Sequence, residues 1–319
     1  MSEERKTRVC CLVWLEWPEK CFRVDTEALR LLKNLVGAKG RVQRVRSEAA
    51  FLKALPQATH VITWHFQAAW YERATRLQVV ATPAAGRELV AQNAPRGVKV
   101  HFGGFHGAIM SESVVAFIFA WARGFFQVER CDEPTARAWP RSWLSDKCHL
   151  VAGTRAVVLG YGRVGRAIGE KLSTLGVAVT GIRRANLSEL PRAARTADWL
   201  VLALPSDTGT DNLLNRALIA RLPRRCVVIN VGRGNAVDES ALVAALRTKR
   251  LAGAYLDVFK DEPTALETTR AKGRDASVGI LSLPRDTWPK TLVAMPHASA
   301  FSSDYLKRCF QELKDDGIF

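Results

Sequence analysis

The chain has 319 residues, 48% of them apolar, and this length allows two hydrophobic cores, so two domains are expected. No apolar run approaches the roughly 18 residues of a membrane span, and the polar start does not resemble a secretory signal, so a soluble, cytoplasmic protein is predicted. The seven cysteines form no C-x-x-C pair, which argues against a metal site, and the net charge of +16 is spread along the chain, which argues against a nucleic-acid partner.

The N-terminal part of the chain alternates short apolar strands with helical segments, a pattern typical of a parallel sheet covered by helices. Asp25 and Ser47 are suited to cap two of these helices. The strands of this first unit are predicted at residues 8–15, 59–66 and 77–83, and the unit is expected to end near residues 98–104.

An almost wholly apolar helix is predicted over residues 111–126, with Ser111 or Ser113 as its cap, and such a helix is expected to be buried. Residues 131–150 indicate a long surface connection. A second alternating unit follows, with strands predicted at residues 156–160, 177–182, 198–204, 226–231, 252–258 and 291–295.

Two later segments complete the organisation of the chain. Residues 264–290 match neither strand nor helix and indicate an insertion or a surface loop. Residues 301–316 predict an amphipathic helix that is able to cross back to the first unit. The patterns together predict an α/β protein in which one domain, residues 105–298, is inserted into another, residues 1–104 with 299–319.

A glycine-rich turn joins the first strand and helix of the second unit. Gly160 permits the tight turn, Gly162 lets a pyrophosphate approach the backbone, and Gly165 lets the helix pack on the strand. The N-terminus of the helix that follows favours an anion. The order strand, turn, helix, strand therefore predicts a dinucleotide-binding domain, and the alternative is a glycine-rich turn that binds nothing.

Two arginines stand where a dinucleotide-binding fold usually carries an acid for the ribose hydroxyls. Arg183 lies 18 residues after Gly165, and Arg184 follows it. A guanidinium cannot accept hydrogen bonds from ribose, but it can donate two to a phosphate. We therefore predict that NADP(H) is favoured over NAD(H), and the alternative is that both arginines are solvated charges and NAD is bound less selectively.

Three reactive side chains follow predicted strands of the second unit: Arg233 in INVGRG, Glu262 in LDVFKDEP and His297 in MPH. Because the carboxyl ends of parallel strands meet at one edge of a sheet, we expect these side chains to converge. An arginine can bind a carboxylate and polarise a neighbouring carbonyl group. A histidine can exchange a proton with the carbonyl oxygen, and a neighbouring glutamate raises its affinity for that proton. Taken singly, the three types are more often surface charges, structural histidines or turn residues.

With GYGRVG, LALPSDTGTDNLLN, INVGRG, LDVFKDEP and MPH in this order, the chain resembles the D-isomer-specific 2-hydroxyacid dehydrogenases over residues 105–300. The resemblance implies a Rossmann cofactor domain inserted in a flavodoxin-like substrate domain, with Arg233, Glu262 and His297 as the catalytic residues of an NAD(P)-dependent oxidoreductase. Family members with an arginine after the second strand include NADPH-preferring glyoxylate and hydroxypyruvate reductases. The expected reaction is therefore reduction of a small 2-oxo acid to its D-2-hydroxy acid.

The resemblance implies further ligand contacts. The loop with Ala85 and Gly86 is expected to receive the substrate carboxylate, and Asp257 the nicotinamide amide. The other positions that it implies in cofactor binding are Arg163, Val164, Leu204, Pro205 and Val231. Two residues depart from the family's usual pattern, since Arg87 replaces a small aliphatic residue and Asp207 stands where threonine is common.

Enzymes of this family usually dimerise through the cofactor domain, so a homodimer is expected. The alternative function from another class is a dinucleotide-sensing binding protein, because transcriptional corepressors also resemble this family. Direct nucleic-acid binding is a third alternative and would show a steep salt dependence. None of the departures removes a catalytic group, so the enzyme is the favoured interpretation.

Overall fold

The computed structural model describes residues 8–87, 89–128, 139–262, 280–282 and 284–319. The chain divides into two compact units. The first unit comprises Met1–His106 with Phe301–Phe319, and the second comprises Gly107–Ala300. Both boundaries between the units lie two residues later than the sequence patterns predict, after residue 106 instead of 104 and after residue 300 instead of 298.

A parallel sheet forms the centre of the first unit. In chain order its strands are β1 (Cys10–Trp14), β2 (Arg41–Arg44), β3 (His60–Thr63), β4 (Val79–Thr82) and β5 (Lys99–Phe102). They lie side by side in the order β2-β1-β3-β4-β5, which is the flavodoxin-like strand order.

The helices of the first unit are α1 (Thr26–Val36), α2 (Glu48–Ala54), α3 (Trp70–Arg73) and the C-terminal helix (Tyr305–Asp315). Both predicted caps are confirmed. The Ala28 amide donates to Asp25 Oδ1 at 2.7 Å, and the Ala50 amide donates to Ser47 Oγ at 3.3 Å. These bonds satisfy amides that have no acceptor inside their own helices, so each cap defines where its helix begins.

The sequence patterns missed strand β2. It is an edge strand that pairs with β1 from Cys10↔Arg41 to Val13↔Arg44. Its residues alternate between exposed and half-buried, and an arginine stands at each end. Charged residues on an edge strand discourage pairing with other chains, and they also remove the apolar run by which the other strands were recognised.

A second parallel sheet forms the centre of the second unit. Its strands are β6 (Arg155–Leu159), β7 (Ala178–Ile182), β8 (Trp199–Leu202), β9 (Val227–Asn230), β10 (Gly253–Leu256) and β11 (Leu292–Ala294). They lie in the order β11-β10-β9-β8-β6-β7. The strand order reverses beside β6, which is where ligands bind in open parallel sheets. The predicted fold class of two parallel-sheet α/β units is confirmed.

Helices cover both faces of this second sheet. They are α4 (His106–Ala122), α5 (Phe125–Val128), α6 (Arg141–Ser145), α7 (Arg163–Thr174), α8 (Leu190–Ala194), α9 (Arg216–Ile219) and α10 (Glu239–Arg247). Side chains of α4 and α7 pack on one face, and those of α8, α9 and α10 pack on the other. Every residue of β8, β9 and β10 is buried, which explains their continuous apolar runs.

The predicted cap of the long apolar helix was wrong. α4 begins at His106, and Ser111 lies inside it, where its hydroxyl donates to the Ala108 carbonyl at 3.0 Å. Ser113 donates instead to the Ser299 carbonyl at 2.9 Å. A serine can bond the backbone of its own helix as well as cap one, so residue type alone did not locate the start.

The two irregular segments lie partly outside the described residues. Within 131–150 the structure describes residue 139 onwards, including α6. Within 264–290 it describes two short 3-10 turns, Ile280–Ser282 and Arg285–Thr287, together with the residues near them. None of the helices in the described ranges has the length and apolarity that a bilayer crossing requires.

Candidate active site

The three candidate catalytic residues follow three adjacent strands of the second unit. Strands β9, β10 and β11 are neighbours and parallel, so their carboxyl ends lie at one edge of the sheet. Arg233 follows β9, Glu262 follows β10 and His297 follows β11. The topology therefore explains why residues so distant in the chain meet here.

His297 and Glu262 form a hydrogen-bonded ion pair. His297 Nδ1 and Glu262 Oε2 are 2.7 Å apart, and the side chains are 49% and 29% exposed. The second carboxylate oxygen of Glu262 accepts from the Phe259 amide at 2.8 Å. With one oxygen held by the backbone, the carboxylate is oriented toward the imidazole, and the imidazole Nε2 is left for another partner.

The pair changes the pKa of both of its members. The hydrogen bond to Glu262 raises the pKa of His297 above its ordinary value, and the Glu262 charge adds to this while burial opposes it. Burial works against ionisation of Glu262, but the hydrogen bond and the charge of His297, the Phe259 amide and the charge of Arg233 together outweigh it, so the pKa of Glu262 is lowered. The two shifts therefore favour the protonated imidazole of His297 and the ionised carboxylate of Glu262.

His297 has a left-handed backbone conformation, with φ of 54°. This region is costly for most residues other than glycine, so the surrounding structure must hold it. The His297 amide donates to the Asp257 carbonyl at 2.8 Å. Asp257 is fully buried, and its carboxylate accepts from the amides of Ala298 at 2.8 Å and Ser299 at 3.0 Å. In the structure, Asp257 thus makes hydrogen bonds to the turn that carries His297. The resemblance implied a contact between Asp257 and the nicotinamide amide.

Arg233 lies on a turn shaped by the side chain of Asn230. Asn230 is fully buried; its Oδ1 accepts from the Gly232 amide at 3.1 Å and its Nδ2 donates to the Arg233 carbonyl at 3.1 Å. The Arg233 guanidinium donates to the Gly232 carbonyl at 3.0 Å. Its charge lowers the pKa values of both His297 and Glu262, although other contributions decide the net direction for His297.

Glu239 is a site residue that the sequence patterns did not single out. It is buried on α10, and its two carboxylate oxygens accept from the Lys260 amide at 2.9 Å and the Ile280 amide at 2.6 Å. It therefore fixes the backbone two residues before Glu262. An acid in the first turn of a helix commonly complements the helix dipole, so residue type and position give no sign that Glu239 is buried.

The glycine-rich turn has the backbone that a pyrophosphate needs. Gly160 has a φ of 84°, and a Cβ at position 165 would lie 2.2 Å from the Gly160 carbonyl oxygen, so both positions require glycine. A Cβ at Gly162 would meet nothing within 4 Å. α7 begins at Arg163, and the amides of a helix's first turn, here including Val164, have no acceptor inside the helix. This open helix N-terminus fits an anionic diphosphate.

The other predicted ligand positions are divided between the units. Leu204 and Pro205 follow β8 and Val231 follows β9, at the same edge of the second sheet as the glycine-rich turn. Ala85 and Gly86 belong to the first unit, in the loop after β4. The neighbouring Arg87 has its guanidinium 5.5 Å from the centre of the Phe102 ring.

The two arginines after β7 have different partners. Arg183 Nε donates to the Tyr161 carbonyl at 2.8 Å. Arg184 Nη2 lies 3.2 Å from Asp207 Oδ2, in an exposed ion pair. Hydrogen bonding from the Gly209 amide, together with the charge of Arg184, lowers the pKa of Asp207. The unusual Asp207 thus balances the charge of one arginine and not of the other.

Comparison with known proteins agrees with this geometry. Residues 115–276 match the family model described as D-isomer specific 2-hydroxyacid dehydrogenase, NAD binding domain. The chain belongs to this family. It is 29% identical over 250 residues to glyoxylate/hydroxypyruvate reductase B from Klebsiella pneumoniae subsp. pneumoniae, covering 72% of this chain and 71% of that one. It is 28% identical over 212 residues to glyoxylate reductase from Pyrococcus horikoshii, covering 60% and 63%.

The fold is also shared with solved structures of the family. A D-lactate dehydrogenase from Sporolactobacillus sp. superimposes with a TM-score of 0.73, at 18% identity, over 97% of this chain and 95% of that one. The second unit is thus an NAD-binding domain of a dehydrogenase family, which is the fold predicted from the motifs.

Proposed function

We propose that the protein reduces a small 2-oxo acid to the D-2-hydroxy acid with a nicotinamide cofactor. The observation that carries the proposal is the 2.7 Å contact between His297 and Glu262 at the sheet edge that also bears Arg233. The names of the relatives, glyoxylate/hydroxypyruvate reductase and glyoxylate reductase, support a small acid of that kind as substrate.

In this mechanism Arg233 binds and polarises the substrate, and His297 transfers the proton. The Arg233 guanidinium binds the carboxylate of the 2-oxo acid and polarises its ketone. The reduced nicotinamide, when bound, supplies the hydride to the carbonyl carbon. His297 Nε2 donates its proton to the carbonyl oxygen, which leaves a hydroxyl group and a neutral imidazole. Because the imidazole is half exposed, it can regain a proton from solvent before the next turnover.

Glu262 holds the imidazole in the orientation and protonation state that this step requires. Its carboxylate accepts from Nδ1, so Nε2 is the nitrogen available to the substrate. In the first unit, we propose that the backbone amides of Ala85 and Gly86 bind the substrate carboxylate. The first unit would then be the substrate domain and the second the cofactor domain.

We further propose that NADPH is preferred over NADH and that the protein is a homodimer. Arg183 lies at the end of β7 beside the glycine-rich turn, where a 2′-phosphate would be recognised by a guanidinium. Dimerisation through the second unit is supported by an exposed apolar surface around Phe125, Trp139 and Leu150.

The reaction is tested with His297→Asn. Asparagine tolerates the left-handed conformation better than alanine does, so the variant removes the imidazole with the least backbone strain. We expect NADPH oxidation with glyoxylate or hydroxypyruvate to fall by roughly 10²- to 10⁴-fold, with the Kd for NADPH unchanged. The matched control, His149→Asn, changes an exposed histidine of the same unit and should keep full activity.

A panel of small 2-oxo acids with both cofactors decides between an enzyme and a binding protein. Turnover of at least one acid by the wild type, lost in His297→Asn, supports the reductase. Tight NADPH binding without turnover of any acid contradicts it and favours a dinucleotide-sensing protein.

A further inference from the structure

Tyr161, the residue between the first two glycines of the turn, occupies a slot made by two other glycines. A Cβ at Gly181 in β7 would lie 2.4 Å from Tyr161 Cγ, and a Cβ at Gly169 in α7 would lie 2.7 Å from the Tyr161 hydroxyl oxygen. Glycine inside a strand weakens that strand unless a close approach requires it. Here the ring of Tyr161 lies so close to β7 and α7 that both positions, Gly181 and Gly169, require glycine.

Arg183 makes two contacts with this same residue. Its Nε donates to the Tyr161 carbonyl at 2.8 Å, and its guanidinium carbon lies 5.9 Å from the centre of the Tyr161 ring. The Arg183 amide donates to Asn186 Oδ1 at 2.6 Å, which fixes the backbone from the other side. A flexible arginine is thereby held in one place, beside the turn that would receive the pyrophosphate.

Nε of Arg183 makes the hydrogen bond to the glycine-rich turn. The two Nη atoms of the guanidinium are left for a ligand. Within the described ranges, no carboxylate forms an ion pair with Arg183. Arg184 differs, because its Nη2 pairs with Asp207, and the Asp207 carboxylate is itself held by the Gly209 amide at 2.8 Å. Of the two adjacent cations, Arg183 alone therefore combines a fixed position with a charge that no described carboxylate balances.

We propose that Tyr161 is a specificity-determining residue that positions Arg183 for the 2′-phosphate of NADPH. This inference rests on the proposed preference for NADPH. The ring and the carbonyl of Tyr161 hold the guanidinium before the cofactor arrives, so less freedom is lost when the Nη atoms bind the phosphate. Arg184, balanced by Asp207, contributes little to the choice of cofactor.

The test is the ratio of the Kd values for NADH and NADPH in variants of the whole protein. Tyr161→Leu removes the aromatic face and keeps the backbone carbonyl, and we expect it to weaken NADPH binding about two- to fivefold, with NADH binding unchanged. Tyr161→Phe is the matched control, because it keeps the ring and should keep the wild-type ratio. Arg183→Ala should lower the ratio more than Tyr161→Leu, and Arg184→Ala should change it little.

The double variant Tyr161→Leu/Arg183→Ala shows whether Tyr161 acts through Arg183. If it does, Tyr161→Leu has no further effect on NADPH affinity once Arg183 is absent. A residue that only supports the turn would weaken NADH and NADPH equally and would do so in both backgrounds, and that result overturns the inference. A ratio unmoved by Arg183→Ala shows that Arg183 does not select NADPH, and a wild-type ratio near one contradicts the NADPH preference itself. A ratio moved by Arg183→Ala but not by Tyr161→Leu refutes the role of Tyr161 alone.

Discussion

At the scale of single residues, the site depends on the opposite pKa shifts of His297 and Glu262. The hydrogen bond between them stabilises the charged form of each, so the pKa of the histidine is raised and that of the glutamate is lowered. In the proposed mechanism, reduction uses the protonated imidazole, and its rate should fall as the pH rises through the His297 pKa. Oxidation of the hydroxy acid uses the neutral imidazole, and its rate should fall as the pH drops through the same pKa.

Glu262→Gln should lower the pKa of His297, because it removes the carboxylate charge and leaves one acceptor oxygen where the Phe259 amide and the imidazole now use two. The alkaline limb of the reductive pH profile should then move to lower pH, and so should the acidic limb of the oxidative profile. Arg233→Gln is a control of opposite sign, since the Arg233 charge lowers the pKa of His297. Titration of the His297 imidazole by NMR in the free protein measures both shifts, and shifts of the same sign would contradict this arrangement.

At the scale of elements, three turns that follow β9, β10 and β11 are held together by buried contacts. A Cβ at Gly234 would lie 1.9 Å from the Phe259 carbonyl carbon, so the turn carrying Arg233 packs directly on the segment that leads to Glu262. Glu239 fixes the same segment through the Lys260 amide. These elements were found from the sequence as strands and motifs, but their contacts were not, because each contact joins segments whose distance in the chain leaves no periodic signal.

Glu239→Gln should therefore destabilise the protein. The side-chain amide keeps one acceptor oxygen and brings a donor against a backbone N–H, so one buried donor loses its partner. We expect a loss of about 1–3 kcal/mol in the free energy of unfolding, together with lower activity. Glu170→Gln, on an exposed position of α7, should change stability by less than about 0.5 kcal/mol. Urea unfolding followed by tryptophan fluorescence compares the two variants, and equal stability would show that Glu239 has no such role.

At the scale of the whole molecule, the exposed apolar surface of the second unit bears on assembly. Phe125, Trp139 and Leu150 are 66%, 77% and 73% exposed. The segments that carry Phe125 and Leu150 are neighbours, because a Cβ at Gly124 would lie 2.8 Å from Leu144 and the His149 amide donates to the Ala122 carbonyl at 2.9 Å. Trp139 lines the same cleft as Leu144. Large exposed apolar side chains grouped in this way are typical of interaction surfaces.

Phe125→Glu combined with Leu150→Glu should shift a dimer to monomers, because each charge would have to be buried at the interface. Sedimentation velocity over a range of concentrations measures the shift. Leu187→Glu, at an exposed apolar position elsewhere in the second unit, should leave the association unchanged. A wild-type protein that stays monomeric at every concentration would remove the proposed dimer.

The sequence by itself determined the fold class, most of the strands and the glycine-rich turn, and it indicated the candidate reactive residues. Those features follow from local rules: buried parallel strands are apolar throughout, tight turns need glycine, and proton transfer needs a histidine with an acidic partner. The edge strand β2 and the start of α4 were not predicted by these rules. The charges of β2 remove the apolar run that marks a strand, and Ser111, whose residue type indicates a helix cap, bonds the backbone inside its own helix.

Only the tertiary structure decided which side chains support the reactive ones. It gave the two adjacent arginines different partners, buried Glu239 among backbone amides, and placed the Tyr161 ring against two glycines. The physical reason is that a charge or a ring takes its role from its surroundings, and those surroundings come from segments that are brought together only when the sheet and helices pack.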